Sequence, residues 1–251
     1  MYVDVHAHLD VEEFREDLPE VIQRAEDAGV RLIVANGTNV KSNRAVLHLA
    51  RKYTVIRAAL GFYPLEIVKS SVQEIEEELE FIKKHKDDIV AIGEVGLDLY
   101  WDKSPTNFEK QKTFFIKIIE LANKIQKPII VHSRKAELET IEILEEHSAC
   151  PVILHSYGGK HKYVDRCVER GWYFTVAANI ERSESLQGLV QRVPSDLLLT
   201  ETDCPYLAPV KGERSEPKDV VLAARKIAQI KGVEEVEMRN ILFMNAQRLF
   251  Y

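Results

Sequence analysis

Residues 128–155 read PIIVHSRKAELETIEILEEHSACPVILH, and this stretch indicates the fold of the whole chain. It contains two short, β-branched apolar runs, which predict strands at residues 129–132 and 152–155. The segment between them, residues 136–147, is amphipathic and long enough to predict a helix. A strand, a helix and a second strand in this order are typical of a parallel βαβ unit.

The same alternation continues in both directions along the chain. Strands are predicted at residues 2–5, 31–35, 55–60, 90–94, 129–132, 152–155, 173–176 and 197–201. Helices are predicted at residues 12–28, 40–52, 72–84, 107–125, 136–147, 160–169, 183–191, 217–231 and 233–250. An α/β chain of this length and order predicts a (β/α)8 TIM-type barrel, a single domain over residues 1–251 with extra C-terminal helices. A doubly wound sheet is the alternative, but no GxGxxG or GxxxxGK[ST] loop follows the first strand.

Composition argues against several classes of protein. The chain of 251 residues is 45% hydrophobic and 29% charged, which is ordinary for a globular protein, and no apolar run is long enough for a membrane span. The N-terminus lacks the basic and apolar regions of a secretory signal. Cys150, Cys167 and Cys204 are few and lack CxxC spacing, so we expect a reducing, cytoplasmic location. A net charge of −6 counts against an extended face for duplex DNA but allows a small basic rim.

Side chains that can bind metal stand at the ends of the first and fourth predicted strands. His6 and His8 are separated by one residue, so strand alternation sends both imidazoles to the same side. Glu94 ends an apolar run, where a buried carboxylate needs a partner such as a metal ion. Taken alone, an HxH pair recurs by chance, and a glutamate at a strand end can be solvated.

The fifth, sixth and eighth predicted strands end in the same kind of residue. His132 and His155 each follow a proline and three aliphatic residues, so they reach the same height in a barrel. Asp203 ends the eighth strand, and Glu201 faces the same way two residues earlier. A core histidine is the alternative for either imidazole. Glu201 is a candidate to orient a ligand histidine, and a buried salt bridge is its alternative role.

Together these groups exceed the needs of a single tetrahedral metal site. They predict two divalent metal ions that share a bridging carboxylate. We assign His6, His8 and Asp203 to one ion, His132 and His155 to the other, and Glu94 to the bridge. Nitrogen and oxygen ligands without thiolate fit Mg²⁺, Mn²⁺, Co²⁺ or Zn²⁺ equally. Asp203 and Glu94 are the candidate catalytic residues, and Asp203 is also a candidate proton acceptor.

The ordered set of motifs resembles the TatD family of metal-dependent deoxyribonucleases, within the amidohydrolase-like barrels. The motifs are DVHAHLD at residues 4–10, GEVGLDLYW at 93–101, KPIIVHSR at 127–134, LLTETDCPYLAP at 198–209, GERSEP at 212–217 and NAQRLF at 245–250. The resemblance covers the whole chain and implies that His6, His8, Glu94, His132, His155 and Asp203 are metal ligands. It also implies hydrolysis of DNA phosphodiester bonds, often as a 3′-to-5′ exonuclease, in DNA repair or degradation. The chain departs from the family pattern at Lys135 and at residues 156–159, SYGG.

With DNA as the implied substrate, seven residues near strand ends become candidate contacts. Arg134, Lys160 and Arg214 are candidate phosphate clamps, with plain surface charge as the alternative. Four aromatic residues are candidates to stack on a terminal base, at ~1–3 kcal/mol each; they are Phe62, Tyr63, Trp101 and Tyr157. The acidic chain with a local basic rim suits DNA ends or short single strands better than long duplex.

Two other functions remain open from the sequence. The same barrel suits a binuclear-metal hydrolase of small amides, lactones or esters, although many such enzymes bridge their metals with a carboxylated lysine where this chain has Glu94. A non-catalytic binding protein on this barrel is a third possibility. The presence of every ligand-type residue argues against it.

Overall fold

The computed structural model describes residues 1–251, and its centre is one sheet of eight parallel strands. Each strand pairs with the next one along the chain. The strands are β1 (Tyr2–Ala7), β2 (Val30–Asn36), β3 (Ile56–Leu60), β4 (Ile89–Asp98), β5 (Ile129–Arg134), β6 (Val152–Leu154), β7 (Tyr173–Val176) and β8 (Leu198–Thr200). The segment after β8 returns to β1, where the Asp203 and His8 N–H groups donate to the His6 and Cys204 carbonyl oxygens, both at 2.9 Å. The predicted (β/α)8 barrel is therefore confirmed.

Ten α-helices accompany the strands, and the last two form the predicted C-terminal addition. They are α1 (Leu18–Asp27), α2 (Val40–Lys52), α3 (Pro64–Lys69), α4 (Val72–Lys84), α5 (Pro105–Ile125), α6 (Glu137–His147), α7 (Val164–Glu169), α8 (Glu184–Arg192), α9 (Val220–Lys231) and α10 (Glu235–Phe250). None of these helices combines the length and the apolar character that crossing a bilayer requires.

Four helical segments differ from the sequence prediction, and one of them is the predicted helix 217–231, which begins as a 3-10 turn at Pro217–Asp219. The predicted helix 12–28 is a 3-10 turn at Glu12–Phe14 followed by α1, whose first turn holds a proline that cannot sit in a helix interior. The predicted helix 160–169 likewise begins as a 3-10 turn at His161–Tyr163. Helix α3 lies inside the loop expected at 62–71, and its six residues are too few for a periodic apolar pattern to reveal.

Two apolar clusters divide the interior. The larger one lies between the sheet and the surrounding helices. The smaller one, which we call the lumen cluster, fills the barrel and takes one or two residues from seven of the strands. Its members are Val3, Val5, Leu32, Val34, Ala59, Ala91, Ile130, Ile153 and Leu199, with Ala246, Leu249 and Phe250 of α10. Helix α10 thus closes the N-terminal end of the barrel, and the opposite end remains for a site.

Candidate metal centre

Simple alternation carries the functional side chains of β5, β6 and β8 into the barrel. Ile130 belongs to the lumen cluster, and His132 faces the same way two residues later. Ile153 and Leu199 stand in the same relation to His155 and Glu201. On these strands, the residues that bear chemistry continue the inward rows of apolar residues.

On β1 and β4, the functional side chains also enter the barrel, but these two strands are irregular. Val5 and Ala91 belong to the lumen cluster, so strict alternation would turn His6 and Glu94 outward. The pairing register shifts between Asp4 and Ala7 on β1, and between Ile92 and Val95 on β4. Such bulges reverse the direction in which the following side chains point. They bring His6 and Glu94 into the barrel.

A first group of four donor atoms meets inside the mouth. His6 Nε2 and His8 Nε2 are 3.1 Å apart, and they lie 3.5 and 3.3 Å from Asp203 Oδ1. Glu94 Oε2 completes the group, at 3.7 Å from His6 Nε2 and 3.3 Å from His8 Nε2. A tetrahedral ion with bonds of ~2.0–2.1 Å separates its ligands by about 3.3 Å. The four atoms therefore have the spacing of one metal site.

The other carboxylate oxygen of Glu94 faces a second group. Glu94 Oε1 lies 2.9 Å from His132 Nδ1 and 3.4 Å from His155 Nε2. The rings of His6 and His155 stack at 3.8 Å between centroids, so the two groups are adjacent. One carboxylate between two sets of nitrogen donors is the arrangement of a bridging ligand.

The second ring nitrogen of three histidines has its own partner. His8 Nδ1 lies 3.2 Å from the Asn36 carbonyl oxygen, to which it donates. His132 Nε2 lies 3.1 Å from Asp98 Oδ2, and His155 Nδ1 lies 3.0 Å from Glu201 Oε2. These contacts fix the tautomers so that the free lone pairs point toward Glu94, as is usual for metal-bound histidines. The buried Nδ1 of His6 has no protein partner.

The donor set fits divalent cations. His6 Nε2 and His8 Nε2 face each other across 3.1 Å with two carboxylate oxygens beside them, an arrangement that only a proton or a cation between them makes favourable. Burial alone would lower the pKa of His8, but Asp203 and Glu94 raise it to about 10. Burial would raise the pKa of Glu94, but the surrounding histidines lower it well below its usual range. Because protons and metal ions compete for the same atoms, metal affinity should decrease as the pH is lowered.

A cavity of about 490 Å³ opens above these residues. Three of the predicted substrate contacts, Tyr63, Trp101 and Arg134, line it. Arg134 is the only lysine or arginine in the lining, and Trp101 is 62% exposed. The Arg134 guanidinium forms no ion pair and lies 4.1 Å from the ring centroid of Tyr100 and 5.5 Å from that of Trp101. Its N–H donors are therefore available to an anion in the cavity.

The other four predicted substrate contacts do not line the cavity. Phe62 is only 1% exposed and belongs to the cluster between sheet and helices. Tyr157 is also buried, and its ring packs edge-on against Phe174 at 5.5 Å. Lys160 is exposed, outside the cavity lining. Arg214 donates to Asp17 at 2.6 and 2.8 Å, so its guanidinium is already neutralised. The structure therefore does not bring these four residues together with the candidate metal ligands.

Tyr206 and Asp10, which both line the cavity, were not predicted from the sequence. Tyr206 lines the cavity and is 54% exposed, with its ring 6.3 Å from that of His8. Asp10 also lines the cavity, and strand alternation beyond His8 would have pointed to it. Asp98 is fully buried: its Oδ2 contacts His132 and the Tyr63 hydroxyl, while Oδ1 accepts the N–H groups of Tyr100 and Trp101. It links a candidate metal ligand to the rim of the cavity.

Known proteins with this sequence pattern are TatD relatives. A profile of the family described as TatD related DNase matches residues 3–251. An uncharacterized metal-dependent hydrolase of Bacillus subtilis, YabD, is 35% identical, with 100% of this chain and 99% of that protein covered. The human protein named deoxyribonuclease TATDN3 is 33% identical, with 99% and 94% covered.

A solved structure agrees with this result. The crystal structure of YjjV, a TatD homologue of Escherichia coli K12, superposes with a TM-score of 0.92 at 27% identity, over 99% of this chain and 97% of that one. The similarity therefore extends over the whole barrel and its C-terminal helices.

Proposed function

This chain belongs to the family of TatD-related DNases, whose members include metal-dependent hydrolases, and we propose that it is a deoxyribonuclease that hydrolyses DNA phosphodiester bonds. The observation that carries the proposal is the position of Glu94, with one carboxylate oxygen in each of two nitrogen-rich groups. We propose two divalent ions there, drawn from Mg²⁺, Mn²⁺, Co²⁺ and Zn²⁺. His6, His8 and Asp203 would hold one ion, and His132 and His155 the other.

Divalent ions in such a centre lower the pKa of water and polarise a phosphoryl oxygen. The residues of the chain supply the remaining functions. Asp203 has the most accessible side chain of the six candidate ligands, 15% exposed against 11% for His132. Its pKa lies well below the usual range because nearby histidines outweigh burial, so it stays ionised and can accept the proton of the attacking water. Arg134 donates to a non-bridging phosphate oxygen in the cavity.

The charge of the cavity supports DNA ends or short single strands as substrates. Arg134 is the only lysine or arginine in a lining that also contains Asp10 and Glu66, so the cavity itself offers few contacts to a long phosphate backbone. Tyr63 and Trp101 offer aromatic faces to a terminal base. We propose removal of nucleotides from the 3′ end and a role in DNA repair or degradation. The three free thiols suit the reducing cytoplasm.

The test begins with metal analysis of the purified protein, followed by digestion of end-labelled single-stranded DNA with each of the four metals. We expect stoichiometric divalent metal and stepwise shortening of a 5′-labelled strand, while a 3′-labelled strand releases its label at once. The reverse pattern would contradict the 3′-to-5′ direction but would still support the proposed nuclease activity.

A panel of small amides, lactones and esters distinguishes the proposed nuclease from the main alternative, a hydrolase of these small carbonyl substrates. The expected result is hydrolysis of bis(4-nitrophenyl) phosphate and DNA, with little turnover of carbonyl substrates by the same metal-loaded protein. Turnover of the carbonyl panel without cleavage of either phosphodiester would overturn the proposed function. Purified protein without metal or any hydrolytic activity would support a non-catalytic binding protein.

A further inference from the structure

A basic surface depression adjoins the cavity, at the ends of β4 and β5. The two strands stay paired to their last residues, where Asp98 stands opposite Arg134 and the Leu99 N–H donates to the Arg134 carbonyl oxygen at 2.9 Å. This pairing places the segment after β4 beside Lys135. The depression, of about 560 Å³, is lined by Leu99, Tyr100, Lys103 and Lys135, and we call it the β4–β5 groove.

The groove and the catalytic cavity share a boundary. Tyr100 lines the groove and is 43% exposed, and the Arg134 guanidinium lies 4.1 Å from its ring centroid. Arg134 in turn lines the cavity above the candidate metal centre, together with Trp101. A chain of nucleotides that leaves the cavity past Arg134 therefore meets Tyr100 and then the two lysines.

The two lysines of the groove carry charge that no carboxylate neutralises. Six other lysines form ion pairs, namely Lys69, Lys83, Lys112, Lys117, Lys218 and Lys226. Lys103 and Lys135 form none. The acidic residues nearest to them in sequence are engaged: Asp102 accepts the Ser104 N–H and the Asn107 amide, and Glu137 accepts the Lys135 N–H.

Resting on the proposed function, we propose that the β4–β5 groove binds the sugar–phosphate backbone of a single DNA strand next to the nucleotide held in the cavity. Lys103 and Lys135 contact phosphates, and the exposed face of Tyr100 supports a base. Alternating cations and an aromatic platform are the features that bind single strands without sequence preference. A chain with a net charge of −6 thus gains a local path for a polyanion.

The test measures binding of a fluorescent ten-residue oligothymidylate to the metal-loaded protein by anisotropy, with phosphorothioate end linkages to slow hydrolysis. The variant K103Q/K135Q removes both groove charges. The control K124Q/K127Q removes equal charge near the start of β5, at the opposite end of the barrel. Loss of two phosphate contacts should reduce the slope of log K against log salt by about 1.4 and weaken binding about 25-fold at ~0.1 M salt.

The outcomes separate this proposal from the proposed function. Equal affinity and equal salt slope in K103Q/K135Q and the control would contradict the binding of DNA in the β4–β5 groove, even if the protein cleaves DNA. Weaker binding in K103Q/K135Q alone would support the groove, even if the protein cleaves no DNA and the proposed function fails. In a protein that does cleave DNA, we also expect the KM for the ten-residue strand to rise in K103Q/K135Q, with little change in kcat.

Discussion

The same strands line both halves of the barrel lumen, with apolar side chains in the lower half and with histidines and carboxylates in the upper half. In the lower half, Ile130 and Ile153 are fully buried against the apolar end of α10. In the upper half, His132 and His155 stand two residues further along the same strands, among carboxylates. Burial is similar at the two levels, since His155 is only 4% exposed. The difference lies in what each side chain requires from its neighbours.

Apolar side chains need only contact, whereas buried polar groups need specific partners. The lower half can therefore stabilise the barrel by packing alone. The upper half holds four imidazoles and several carboxylates whose arrangement favours a cation. The lower half should therefore govern stability and the upper half activity, and variants in each half test that division.

The largest effect is expected from Glu94→Gln, which removes the charge shared by both donor groups. We expect hydrolysis of bis(4-nitrophenyl) phosphate to fall at least ~1000-fold, the equivalent of about 4 kcal/mol in the barrier. Metal content, measured by mass spectrometry, should fall as well, while circular dichroism stays unchanged. A variant that keeps both its metal and its activity would refute the division at its centre.

The next effect is expected from Leu32→Ala in the lumen cluster, on a strand without a candidate metal ligand. Loss of a buried leucine should lower the free energy of unfolding by ~2–5 kcal/mol. Chemical denaturation measures this value. The folded variant should keep its kcat within about twofold. A large loss of kcat without a loss of stability would mean that the two halves are not separable.

A smaller effect is expected from Asp98→Asn in the upper half, at a carboxylate that contacts a candidate metal ligand. The amide keeps an acceptor for Tyr100 and Trp101 but takes the carboxylate from His132. We expect metal affinity or kcat to fall ~10–100-fold with little change in KM. Asp87→Asn, at an exposed carboxylate, is the matched control. A higher KM with normal kcat would instead show that Asp98 acts on substrate binding, through Tyr100 and Trp101 at the rim of the cavity.

The smallest effect concerns charges outside the lumen. Burial would raise the pKa of Glu216, but Arg24 and Arg214 outweigh it and lower the pKa to about 2. Since the folded pKa lies below the usual value of 4.5, this contribution is present above pH 4.5 and is lost as pH falls toward 2. We expect the Glu216 charge to contribute about 1 kcal/mol to the free energy of unfolding after solvent screening.

The measurement for Glu216 is the free energy of unfolding between pH 7 and pH 3. Glu216→Gln should be less stable than the parent protein at pH 7, and this difference in the free energy of unfolding should narrow as the pH falls toward 3. A gap that stays constant across this range would show that Glu216 acts through packing and not through its charge.

Much of the site could be predicted from local sequence because strand ends are local features. The six candidate ligands come from residue type and position at the ends of apolar runs, and the structure brings all six together. The lining of the cavity could not be predicted as well. Phe62 and Tyr63 are adjacent in the sequence, yet the first packs into the core and the second lines the cavity. Their environments depend on neighbours from other elements.

The order of strands and helices and the residue types at each strand end follow from the amino-acid sequence, because apolar periodicity and residue chemistry are properties of short segments. The assembly of the barrel decided that the bulges of β1 and β4 turn His6 and Glu94 inward, since a register shift arises between two paired strands. It also decided that Arg214 is occupied by Asp17, 197 residues away along the chain. Contacts over such separations form only when the barrel closes.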